Sequence, residues 1–126
     1  MEAGLRTILI GEDREERSLV INELRQSFTK IIITQVDSRR DFEAALDNAG
    51  FDLAITDEQL SWSDGLSILR TLKSRNPECP VIMLMPPGQE DAAIEAIKAG
   101  LDDCLFTEPG HIGRLGAMVR IAMEHR

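Results

Sequence analysis

No run of apolar residues in this sequence is long enough to cross a bilayer, and Met1-Glu2-Ala3 does not open a signal peptide. Cysteine is scarce. Cys79 and Cys104 form no C-x-x-C pair, and each lies beside or within an apolar run, so the sequence predicts buried free thiols in a reducing cytosol. A disulfide scaffold is excluded and a cytoplasmic location expected. The two histidines, His111 and His125, lack metal-ligand spacing and a cysteine partner, and both read as surface residues. Basic residues are outnumbered, giving a net charge of -8. Phosphate binding needs clustered Lys and Arg, so direct nucleic-acid binding is not expected, and nothing points to a membrane. No linker, low-complexity segment or repeat interrupts the 126 residues, so the sequence predicts one compact domain over 1–126.

What is present alternates regularly. Residues 6–11 read as a strand and 14–28 as a helix, with Val20, Leu24 and Phe28 on one stripe. Residues 30–36 hold the run Ile31-Ile32-Ile33, a second strand. Asp37-Ser38 then offers a cap for a helix lined by Phe42, Ala45, Leu46 and Ala49, which stops at Gly50. DLAITD, residues 52–57, is a third strand. A helix over 64–75 turns Leu66, Leu69 and Leu72 inward and ends before Pro77. PVIMLM, 80–85, is a fourth strand. After Pro86-Pro87-Gly88 a helix carries Ala93, Ile94 and Ile97 and stops at Gly100; 103–107 is a short fifth strand, and 112–125 the last helix. Continuous apolar strands joined by helix-length crossovers imply a parallel sheet covered on both faces. In such sheets ligands bind beyond the carboxyl ends of the strands.

The residues at those ends are acidic. The first strand delivers Glu12 and Asp13, and the third delivers Asp57, followed by Glu58 and Gln59. Acidic residues also favour a helix N-terminus, which alone accounts for many such pairs. If the two strands are neighbours, three carboxylates meet and raise one another's pKa. A hard divalent cation removes that conflict, and Mg²⁺ suits carboxylate and carbonyl ligands. Spacing alone leaves both readings open.

Four segments in order, ILIGED, FDLAITDEQLSWSDGL, CPVIMLM and AIEAIKAGLDDCLF, resemble the receiver domain of two-component response regulators (CheY-like) over nearly the whole chain. The resemblance implies a doubly wound, flavodoxin-like (βα)5 α/β sandwich. Its five-stranded parallel sheet would run in the order 2-1-3-4-5, with two helices on one face and three on the other. It implies that Asp57 accepts a phosphoryl group from a histidine kinase or phosphotransfer protein. It further implies that Glu12, Asp13, Asp57 and the backbone carbonyl of Gln59 hold Mg²⁺. The protein would then be a phosphorelay component and phosphoprotein, not an enzyme.

The switch positions depart from the family pattern. Met85 stands where a Ser or Thr hydroxyl is usual, Thr107 where a Lys is usual, and Cys104 at the aromatic position. Pro109 lies one residue later than the family's Lys-Pro, and no lysine follows Lys98 in any alignment. Of other cations, Arg14 follows the acidic pair and Arg114 lies on the last helix. A weakened or unconventional switch is expected; the alternative is a phosphorylation-independent interaction module. An aspartyl-phosphate phosphatase would need a second acid where Gln59 stands, and a flavin or nucleotide domain would need a glycine-rich loop where the chain reads GEDREE. The last helix carries Ile112, Leu115, Met118, Val119, Ile121, Ala122 and Met123, an apolar surface wider than one stripe. Contact with a second copy or an effector domain is expected there. Trp62, the single tryptophan, lies five residues past Asp57 as a reporter.

Overall fold

The strands are β1 (Leu5–Ile10), β2 (Ile31–Val36), β3 (Leu53–Asp57), β4 (Val81–Met85) and β5 (Asp103–Phe106). The helices between and after them are α1 (Arg14–Ser27), α2 (Arg39–Asp47), α3 (Gly65–Arg75), α4 (Glu90–Lys98) and α5 (Leu115–Glu124), the last preceded by a 3₁₀ turn, Ile112–Arg114. This computed structural model describes residues 4–48 and 50–125; Met1 to Ala3, Arg126 and Ala49, which the sequence assigns to the second helix, lie outside them. All four strand pairings are parallel, in the order β2-β1-β3-β4-β5. The expected doubly wound α/β fold is therefore the observed one.

Alternation along each strand divides the core in two. Ile8, Ile10, Ala54, Val81, Met83 and Met85 face α2, α3 and α4, where they meet Phe42, Ile68, Leu69 and Ala96. Leu9, Leu53, Ile55, Ile82 and Leu84 face α1 and α5, where they meet Val20, Leu24, Leu115 and Val119. Two helices thus cover one face and three the other.

Helix starts follow the expected capping chemistry. Ser38 accepts from the Asp41 N–H at 3.1 Å, and Asp64 from the Ser67 N–H at 2.8 Å. Gly65, the first residue of α3, is fixed by a close approach. A Cβ there would lie 2.9 Å from the Asp57 carbonyl oxygen, the Glu58 Cα and the Met83 Cε. Two of these are backbone atoms that cannot step aside, so α3 starts hard against the end of β3 only because residue 65 is glycine.

Two helices divide their apolar residues between core and surface. On α4 Ala93 and Ala96 are buried, while Ile94 and Ile97 are 51% and 55% exposed. The alanines join the core cluster, and the isoleucines stay outside it. On α5 the apolar surplus is largely consumed by packing. Leu115 and Val119 are buried, and Ile112, Met118, Ala122 and Met123 pack against the same cluster, leaving Ile121 53% exposed. The extra apolar width is needed because α5 packs on both α1 and the sheet. Cys79 is buried as expected, and Cys104 is only half-buried.

Candidate functional site

β1 and β3 are direct neighbours, so their carboxyl ends bring Glu12, Asp13 and Asp57 to one edge of the sheet. Asp57 ends β3 beside Leu84, and its half-buried carboxylate occupies the side-chain space that Gly11 leaves free. A Cβ on Gly11 would lie 2.7 Å from Asp57 Oδ2. The crevice around this carboxylate is lined by Gly11, Asp13, Glu16, Arg17, Asp57 and Leu84, among others, and holds about 10 Å³. That is roughly the room of one water or one small ion, and far too little for a nucleotide or flavin.

The environment favours the neutral acid. Burial pushes the Asp57 carboxyl up to about 8, reinforced by a hydrogen bond and negative charge from Glu16 and by the charge of Asp13. The Glu12 backbone N–H, aimed at the carboxylate, pulls in the opposite direction. Asp57 and Glu16 thus bring two carboxyl groups to the same crevice.

The expected site residues divide their attention. Asp13 caps α1, accepting from the Glu16 N–H at 3.0 Å, so the helix-start reading of this carboxylate is realised. Glu12 is exposed and turns toward the β3–α3 loop, where its two oxygens accept from the Ser61 N–H and the Ser61 hydroxyl. Those bonds, the hydroxyl's first, hold the Glu12 carboxyl below its usual range. Gln59 lies exposed on the same loop, bridged to Asp64. Among the described residues no three His, Cys, Asp or Glu side chains already converge at metal-ligand distances. The donors present are nonetheless hard oxygens around a space of ionic size, which suits Mg²⁺ rather than a soft metal.

The residues expected at the switch positions have local partners of their own. Met85 is fully buried in the core under β4. Its carbonyl accepts both the Thr107 N–H at 2.8 Å and the Thr107 hydroxyl at 3.2 Å, so that hydroxyl is already committed. Glu108 lies 3.8 Å from His111. His111 departs from the surface reading: its ring is half-buried, and Nδ1 lies 3.0 Å from the Phe106 carbonyl oxygen. Burial first, and then Asp103, raises the Cys104 thiol, which is therefore a packing residue and not a ready thiolate.

Two residues at the crevice were not singled out from the sequence, Glu16 and Arg17. The signal was available. They stand three and four residues past Asp13, the helical neighbours that share its face. Arg17 is 17% exposed at its side chain, donates to the Gly11 carbonyl at 3.4 Å and lies 3.9 Å from Asp37. It, and not Arg14 or Arg114, is the guanidinium that lines the Asp57 crevice.

Residues 8–120 match the family described as response regulator receiver domain. The chain belongs to this family. It is 30% identical over 121 residues to the response regulator protein PilR of Pseudomonas aeruginosa, covering 96% of this chain and 26% of that protein. It is 25% identical over 118 residues to the transcriptional regulatory protein ZraR of Escherichia coli, covering 94% of this chain and 26% of that one. The chain thus spans about a quarter of the length of these curated relatives. Among solved structures, NtrX from Brucella abortus superposes with a TM-score of 0.86 at 24% identity, over 97% of this chain and 27% of that one. A receiver domain from Clostridium thermocellum gives 0.82 at 23% identity, over 95% and 94%. These structural likenesses show the fold. Receiver domains are signalling domains of two-component systems, and those of this family typically use Mg²⁺ for phosphorylation. No described helix of this chain is long and apolar enough to cross a membrane.

Proposed function

We propose that residues 1–126 act as one cytoplasmic receiver unit that accepts a phosphoryl group on Asp57 from a histidine kinase or phosphotransfer protein. The observation that carries this reading is the half-buried Asp57 carboxyl at the carboxyl edge of β3, next to β1 and its acidic pair and seated in the space left by Gly11. An Asp57 oxygen attacks the phosphorus of a phosphohistidine, the new O–P bond forms as the N–P bond breaks, and the imidazole leaves to take a proton from water. Glu12, Asp13, Asp57 and the Gln59 carbonyl are the groups that would hold Mg²⁺. When bound, the cation supplies positive charge that favours the ionised carboxylate and shields it from the incoming phosphoryl oxygens. The chain acts as phosphoacceptor, with no turnover of its own.

The switch in this reading is weak. Met85 has no hydroxyl to donate and Thr107 spends its own on the Met85 carbonyl. A second reading, a phosphorylation-independent interaction module, is favoured by the same observation: with Glu12 on Ser61, Asp13 on α1 and Thr107 on β4, the site is internally satisfied. In either reading a second copy or an effector domain would meet α5 through Ile121, the large apolar residue left outward there.

The test is labelling by a small-molecule phosphodonor with Mg²⁺. Slow or partial labelling of Asp57, lost in Asp57→Asn, supports phosphoacceptance. Millimolar Mg²⁺ alone should change Trp62 emission, and Asp13→Asn should abolish the change. No labelling together with no Mg²⁺ effect leaves the interaction module.

A further inference from the structure

Both oxygens of Glu12 are engaged by a single residue. Ser61 offers its backbone N–H to one and its hydroxyl to the other, a two-point grip across the gap between the β1–α1 and β3–α3 loops. Charge-assisted bonds of this kind are stronger than neutral ones, and a two-point grip also fixes direction. The next residue, Trp62, is held from the other side. Its ring lies 5.8 Å from Phe42, the Arg39 guanidinium stacks on it at 5.5 Å, and Arg39 donates to its carbonyl at 2.5 Å. Arginine at a helix N-terminus opposes the helix dipole, yet Arg39 opens α2. Its contacts with Trp62 are what that unfavourable placement obtains. The loop after Asp57 is therefore pinned twice, by Glu12 through Ser61 and by α2 through Trp62.

We infer that Ser61 is a positioning residue that sets the cation affinity of the site, because Glu12 must leave Ser61 before it can serve as a ligand. This rests on the proposed role of Glu12 in holding Mg²⁺. Cation binding and release of the β3–α3 loop are then one event. The free energy of the Glu12–Ser61 grip is subtracted from that of binding, as for any ligand that selects a minor conformation. Trp62 reports the event because it adjoins the released residue and stays anchored to α2.

The experiment is calorimetric titration of the whole chain with Mg²⁺, followed in parallel by Trp62 emission. Ser61→Ala keeps the N–H and loses the hydroxyl. It should bind Mg²⁺ about three- to tenfold more tightly than wild type, and its metal-free emission should move toward that of the Mg²⁺-bound wild type. Ser61→Thr, which retains the hydroxyl, should keep wild-type affinity. On a Glu12→Ala background, which removes the acceptor, Ser61→Ala should change nothing, an interaction that a merely structural serine would not show. Ser61→Ala binding as wild type does, or more weakly, overturns the inference and leaves the proposed cation site standing. So does an equal effect with and without Glu12. Absence of Mg²⁺ binding by wild type and variant alike overturns the cation site and this inference together.

Discussion

Asp57→Asn is expected to raise the melting temperature at about pH 8 by roughly 5 °C, and the gain should fade toward pH 4. In the unfolded chain an aspartate ionises near about 3.9. In the fold, burial and the Glu16 contact move Asp57 up to about 8. Below the unfolded value both states hold the proton and no penalty arises. Between the two values the unfolded chain releases its proton while the folded chain keeps it, so stability is lost as pH rises. Above the folded value the loss is complete. At about 1.4 kcal/mol per pKa unit the full shift would amount to roughly 6 kcal/mol; solvent access to the half-buried group reduces this to about 2 kcal/mol. Asparagine keeps the shape and never ionises. Thermal melts of both proteins across this range test the point, and parallel curves at every pH would remove the neutral acid from the account. Under the proposed cation site, Mg²⁺ should narrow the gap at the alkaline end, since a cation favours the carboxylate.

Such a penalty is informative about the site. A carboxyl kept neutral at the working pH is a poor nucleophile, so the fold alone does not prepare Asp57 for attack. It prepares a group whose charge state answers to whatever enters the crevice. Glu16 enforces that dependence, because it presents a second carboxyl where a cation or a proton is needed to relieve the contact. The acidic edge is thus a set of unresolved charges with local jobs. Asp13 caps a helix, Glu12 grips a loop, and Asp57 is left as the acid whose ionisation is costly.

The fold was readable because its signals are local and repeated. Continuous apolar strands such as VIMLM, and glycine stops such as Gly50 and Gly100, need no tertiary knowledge; both glycines adopt φ above +100°. The strand order came from the family resemblance, since periodicity alone does not say which strands pair. On α4 the sequence shows apolar residues without showing which of them are buried. Ile94 and Ile97 are more apolar than Ala93 and Ala96, yet the smaller side chains are the ones in the core, and apolarity alone does not say which stripe of the helix turns inward. At the site, the sequence placed Asp57 at a strand end but not the partners of its neighbours. The Glu12–Ser61 grip spans 49 positions, and nothing in the order of residues announces it. Glu16 was closer to legible, being one helical turn from Asp13. His111 was misjudged because its half-burial depends on how the loop after β5 folds back on Phe106.

Restoring the absent phosphoryl contacts, as Met85→Thr with Thr107→Lys, is expected to strengthen phosphorylation while weakening the fold. Each recovered charge-assisted contact contributes about 1.5–3 kcal/mol of preference for the phosphorylated form, so the pair should raise the extent or lifetime of labelling by more than tenfold. The structure opposes both changes. Met85 is fully buried among apolar neighbours, and a threonine there leaves a cavity and buries a hydroxyl, together costing about 2–4 kcal/mol. Lysine at 107 forfeits the hydroxyl bond to the Met85 carbonyl, although the backbone N–H bond at 2.8 Å does not depend on the side chain. The double variant should therefore unfold at lower denaturant yet label faster, with the two effects moving in opposite directions. Phosphodonor labelling and chemical denaturation on the same preparations read both. Ordinary damage to the fold would lower stability and labelling together. If labelling does not rise in a variant that still folds, the proposed weakness of the switch does not originate at Met85 and Thr107, and the grip of Ser61 on Glu12 becomes the first place to look.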